Sequence, residues 1–175
     1  MTEKLNIINM IQRIQTIYLF FAAVAAFLLV LFPPMSFMTS EEATEQKIYT
    51  MDIRHVHEMM YDANDELVHA PHGALMDTWG LAALAMVVGV LSFADIFLYR
   101  KRILQARLNV FTIICALGYY GMMAMYAWLI VKRFDVDWYL EWSSALPLVI
   151  IILLSMAIHR ILADEALVRS ANRLR

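Results

Sequence analysis

The sequence predicts an all-α membrane protein: a four-helix transmembrane bundle with a small outer loop lobe that holds a short β-hairpin. Three observations predict it. Of the 175 residues, 62% are hydrophobic and 17% charged, whereas soluble domains average about 45–50% apolar and about 25% charged residues. The apolar residues gather into four blocks, each near the roughly 20 residues that a hydrocarbon core of about 30 Å requires. Lys and Arg are divided unevenly among the segments between those blocks.

The blocks define one domain with spans at about 14–33, 79–99, 108–131 and 142–160. The first ends at Pro33-Pro34, which stops a helix. No small-x-small site follows it, which argues against a cleaved signal peptide. The second holds a single charge, Asp95, and a small-xxx-small pair, Ala85 and Gly89, that lets another helix approach closely. Gly118 and Gly121 interrupt the third beside Tyr119 and Tyr120. Pro147 lies in the first turns of the fourth, where a missing N–H costs least. Trp79, Trp128, Trp138, Tyr139 and Trp142 cluster at one set of ends as an interfacial belt.

Ten of the 14 Lys and Arg fall in the N-terminus, the loop between the second and third spans, and Arg160 with the tail at 161–175. The positive-inside rule therefore places both termini and that loop in the cytoplasm. It places the 34–78 loop outside. Lys132 and Arg133 are on the opposite side from this bias, where they can snorkel past Trp128.

Within the outer loop, Lys47 to Arg54 alternates as a strand does, and Glu66 to His69 is a second short candidate. Asp62-Ala63-Asn64-Asp65 supplies turn chemistry between them. The loop holds four of the five histidines: His55, His57, His69 and His72. His55 and His57 share one face of a strand and could hold a metal with Asp52 or Glu58, and all four, His55, His57, His69 and His72, are weak candidates for a metal site. The opposing reading is a solvated, His-rich loop, and the sequence favours it: no metal and no cofactor are expected. The single cysteine, Cys115, excludes an internal disulfide.

A polar cluster is expected at the cytoplasmic mouth of the bundle. Asp95 lies one turn from the end of its span, and a carboxylate at that depth is costly unless paired or wetted. Gln12, Arg13, Gln15, Arg102, Gln105, Arg107, Asn109, His159 and Arg160 come to the same level. The expectation is an ion pair from Asp95 to Arg13 or Arg107. In the tail, Ala163, Leu167, Ala171 and Leu174 form one helical stripe, and Glu165, Arg169 and Arg173 form another. The tail is read either as a helix extension on anionic headgroups or as a docking surface.

These features exclude more than they assign. No paired histidines within spans suit haem. No ionisable group lies near a midplane, as ion-coupled transport requires. Ser92, Thr112, Cys115 and Ser155 are each expected to satisfy themselves on their own helix backbone. The favoured expectation is a non-catalytic inner-membrane scaffold, assembly factor or accessory subunit. Its partners are the lipid bilayer, a protein at the cytoplasmic face and further copies of itself, with no nucleic acid. The alternative is a small oligomeric transporter using Asp95.

Three stretches, Met10 to Leu19, Arg102 to Leu108 and Asp164 to Arg175, together resemble a Bacteroidota membrane protein family known as domain of unknown function 4293. The resemblance covers Met10 to Arg175. It implies four membrane helices and an inner-membrane location, and it implies no activity. It also implies that Met10 is an alternative start and that shared function lies at the inner face, where all three stretches fall.

Overall fold

The computed structural model describes residues 2–39, 46–61, 67–69, 75–98 and 101–173; side chains at the start of α1, at Gln46, at the end of β3, in β4 and at the end of α4 fall outside that description. Four helices dominate: α1 (Thr2–Leu31), α2 (Trp79–Phe97), α3 (Arg102–Phe134) and α4 (Leu146–Arg173). Between them run six strands: β1 (Met35–Thr39), β2 (Gln46–Met51), β3 (His55–Tyr61), β4 (Leu67–His69), β5 (Met76–Asp77) and β6 (Val136–Leu140). Each helix packs on two neighbours, α1 on α2 and α4, and α3 on α2 and α4.

The packing is inverted relative to a soluble protein. Small residues face inward: Ala22, Ala25, Ala26, Ala85, Ala116 and Ala157 are buried. Large ones face outward: Phe20, Phe27, Met86, Phe93, Phe97, Phe111 and Ile114 are each more than half exposed. Small inner faces let helix backbones approach closely, and lipid accepts the apolar exterior. The predicted Ala85–Gly89 contact is made with α1: a Cβ on Gly89 would stand 3.6 Å from the Cβ of Ala26.

Three helical stretches, Trp79–Phe97, Arg102–Phe134 and Trp142–Ala163, are long and apolar enough to cross a membrane. In α1 the apolar stretch Thr16–Leu31 is shorter, although the whole helix of 30 residues spans about 45 Å. Helix α3 starts at Arg102, earlier than the expected 108, and runs unbroken through Gly118 and Gly121. Both glycines face open space or a distant side chain, so neither forces a kink. The tail through Arg173 continues α4.

The expected all-α bundle with a hairpin is corrected by the sheet. All six strands form one antiparallel sheet in the order β4-β3-β2-β1-β6, with β5 also pairing with β3. The β2–β3 pair includes the predicted strand at Lys47 to Arg54, now ending at Met51. Its partner is His55–Tyr61, not the expected Glu66 to His69, which contributes the short β4. Strands β1 and β6 were not anticipated. They pair over Met35↔Leu140 to Thr39↔Val136 and so join two loops about a hundred residues apart.

Alternation fixes which face meets the helices. Met35, Phe37, Tyr49, Met51, Val56 and Val136 are buried on the underside. Tyr49 stacks on Phe134 of α3, with ring centroids 5.1 Å apart. Burial and then the Glu58 carboxylate raise the Tyr49 phenol above its ordinary pKa. Side-chain bonds lock the sheet to the helix ends. Thr78 donates through Oγ1 to the Asp52 carbonyl at 2.9 Å, and Ser36 donates to Glu141 at 2.8 Å. Buried Ser143 donates to the Pro33 carbonyl. Tyr120 donates to the Ser144 carbonyl at 2.8 Å and accepts from the Leu148 N–H at 3.1 Å. That hydroxyl meets one of the orphan donors that open a helix. Asp135, in the left-handed conformation at φ 52°, ends α3 and turns the chain into β6.

Candidate functional site: a polar seam between two helices

The buried positions of α2 are Leu81, Ala85, Val88, Ser92 and Asp95. Those of α3 include Gln105, Asn109, Thr112, Ala116, Tyr119 and Met123. Both follow alternating steps of four and three, the spacing that keeps one face against neighbouring helices. At the end nearest the sheet these seams are apolar. At the far end both turn polar: Ser92, Asp95, Gln105, Asn109 and Thr112 are all at most 2% exposed. The described buried positions of α1 and α4, such as Leu19, Leu29, Ile150 and Leu154, are apolar. The polar site therefore belongs to α2 and α3 alone among the described residues.

Part of it is satisfied. Gln105 donates through Nε2 to the main-chain carbonyl of Asp95 at 3.1 Å, the same carbonyl that accepts from the Leu98 N–H as α2 ends. Gln105 thus closes the helix terminus with a side chain. Thr112 donates to the Leu108 carbonyl at 2.9 Å, and Ser155 does the same to Ile151 at 2.7 Å, as expected of hydroxyls within helices. The rest is not satisfied. Both carboxylate oxygens of Asp95, Oγ of Ser92, Oε1 of Gln105 and both amide atoms of Asn109 have no hydrogen-bond partner among the described residues. Ser92 therefore departs from the expectation that it bonds its own helix. The hydroxyl of Tyr119, further along the same seam, also has no partner among the described residues.

The expected bond from Asp95 to Arg107 is absent, and the geometry explains why. Arg107 is two residues past Gln105, which turns it about 200° away from the seam, and it is exposed. Arg102 is half-buried, while His159 and Arg160 are exposed on α4. The side chains of Gln12, Arg13, Arg169 and Arg173 lie outside the described residues, and Glu165 is half-buried. Of the residues grouped by sequence, the structure brings together Asp95, Gln105 and Asn109, and it adds Ser92 and Thr112. Their four-three spacing was the available signal.

At the sheet, His55 and His57 do share a face, with ring centroids 5.9 Å apart. Each turns to its own acid: His55 Nδ1 lies 2.9 Å from Asp77, and His57 Nε2 lies 3.6 Å from Asp52. No group of three His, Cys, Asp or Glu suited to a metal occurs among the described residues. His72 and the His69 side chain lie outside them. A second feature is the end of the sheet. Among the described residues, strand β6 pairs with β1 on one side only, and its Asp137, Trp138, Tyr139 and Leu140 are exposed. Beneath it is an apolar groove of about 390 Å³ lined by Met35, Met123, Ala127, Trp128, Trp138 and Leu140 among others. Lys132 reaches over the Trp128 ring, with Nζ 5.0 Å from its centre.

Apolar exteriors and three helices long and apolar enough to cross a bilayer suit a helical membrane protein. Over residues 11–174 the chain matches the family described as Domain of unknown function (DUF4293), and it belongs to that family. No curated protein matches it.

Proposed function

We propose that the chain is a multi-pass protein of the inner (cytoplasmic) membrane and a non-catalytic scaffold or accessory subunit that binds another membrane protein. In this reading α1 is a fourth crossing, both termini are cytoplasmic, and the sheet lies outside. One observation carries the binding role: the open β6 edge above an apolar groove. An unpaired strand edge offers main-chain hydrogen bonds to an extended segment. The exposed Trp138, Tyr139 and Leu140 add apolar contact at the membrane surface. Asp95 and Gln105 are turned inward, so a docking surface on the cytoplasmic face would fall to the tail with Glu165, Arg169 and Arg173.

The test is photocrosslinking in native membranes from a photoreactive residue at Tyr139, with Glu165 as the cytoplasmic probe and Phe93 as the lipid-facing control. A discrete adduct from Tyr139 supports the reading, and its mass separates a foreign partner from a second copy. An adduct from Glu165 alone moves the contact to the inner face. No adduct at either position contradicts the binding role.

A second reading, a small oligomeric transporter, is favoured by one specific observation. Asp95 is turned into the helices, and its carboxylate has no partner among the described residues. An ionisable group inside a membrane helix is a functional candidate by default. Uptake by reconstituted protein that Asp95→Asn abolishes would establish it.

A further inference from the structure

The far end of the α2–α3 seam holds buried polar atoms that no described residue satisfies. Five buried side-chain oxygens there have no hydrogen-bond partner among the described residues, two from Asp95 and one each from Ser92, Asn109 and Gln105, and the Asn109 Nδ2 is unpartnered as well. All four residues are at most 2% exposed and occupy the inward positions of facing helices. Ser92 and Asp95 are three residues apart on one helix, and Gln105 and Asn109 four apart on the other, so each pair shares a face. The Gln105–Asp95 bond at 3.1 Å brings the two faces together. Acceptors left alone at such depth are costly, and here several occur side by side.

We propose that this seam is a binding site for one monovalent hard cation, with sodium as the ion of matching chemistry. The donor set decides the class. Oxygen ligands select hard cations over the transition metals that imidazole and thiolate hold. The described set contains no histidine or cysteine. Cys115, the one thiol, lies on α3 beyond Thr112 and is not one of the buried seam residues. Charge decides the valence. A single carboxylate balances a single positive charge, and a divalent ion would leave an uncompensated charge in a low-dielectric interior. Asn109 and Ser92 supply neutral oxygens, and the Gln105 amide, already fixed by its Nε2, presents Oε1 as a further ligand. This inference goes beyond the docking role at β6 and is independent of it. It gives the transport reading its ion, but it holds equally for a structural cation.

The experiment uses the purified full-length protein in detergent. Thermal unfolding is followed in sodium chloride, potassium chloride and choline chloride at equal ionic strength, and bound ²²Na⁺ is counted by equilibrium dialysis. The expected result is a midpoint that rises with sodium above choline, with one ion bound per chain. Asp95→Asn abolishes both responses while helical circular dichroism stays unchanged, and Asn109→Leu weakens both. Arg13→Gln separates the competing explanation, in which an arginine neutralises Asp95. The inference is overturned if wild type binds no sodium and shows no sodium-specific shift. It is also overturned if Asp95→Asn keeps the response, or if Arg13→Gln destabilises the protein and Asp95→Asn rescues it. If sodium binding fails while the Tyr139 crosslink persists, the cation site is wrong and the docking role stands.

Discussion

Replacing Asp95 by Asn reads directly whether its carboxylate is neutralised by an ion or by a protein side chain. The carboxylate is 1% exposed and its two oxygens lack partners among the described residues. Leaving a buried polar group unpaired costs about 1–3 kcal/mol, and more when it is charged. In buffer without alkali cations, Asp95→Asn removes the charge but leaves a buried amide, so only the charged excess is recovered and a stabilisation of about 1 kcal/mol is expected. For a chain of this size each kcal/mol moves the unfolding midpoint by about 2–4 °C, so the expected rise is roughly 2–4 °C. Sodium at a hundredfold its dissociation constant returns about 2.7 kcal/mol to the wild type alone, which places the wild type above the variant. The assay is thermal unfolding of both proteins with and without sodium, followed by circular dichroism. A lower midpoint for Asp95→Asn in sodium-free buffer would refute the reasoning, because it would mean that the carboxylate is stabilised by a cationic side chain.

Three further outcomes follow from particular contacts. Ser143→Ala strands the Pro33 carbonyl where α4 meets the end of α1; a loss of about 1–3 kcal/mol is expected by denaturant unfolding. The Tyr49 phenol is raised by burial and by Glu58. The unfolded chain therefore loses that proton first, and stability should fall as pH rises past the ordinary tyrosine pKa; Tyr49→Phe should flatten that limb of the pH–stability curve. Zinc titration should show no stoichiometric site at His55 and His57, since each is already turned to its own carboxylate, and saturable binding lost in a double alanine variant would show otherwise.

The helices were legible because length and apolar content alone determine a membrane crossing. The sheet was only half legible. Lys47 to Met51 shows its alternation locally, but β1 and β6 find each other across about a hundred residues. Val136 to Leu140 reads equally well as an aromatic belt, and only its pairing with Met35 to Thr39 makes it a strand. The site was legible as a depth and not as a set of contacts. Asp95 and Asn109 stand out as polar residues near one end, but hydrophobic blocks do not say which side of a helix faces in. The four-three spacing of Ser92 with Asp95, and of Gln105 with Asn109 and Thr112, carries that information. It also shows why Arg107, off the seam, could not be the partner.

The orientation assumed in the proposed function is tested most directly by thiol labelling in a Cys115→Ser background. Single cysteines replace Asp137 on β6 and Arg107 on α3, both exposed and at opposite ends of the helices. A membrane-impermeant maleimide added to spheroplasts should label Asp137→Cys at once and Arg107→Cys only after permeabilisation. Labelling of Arg107→Cys in intact spheroplasts, with Asp137→Cys protected, would place the sheet in the cytoplasm and contradict the account.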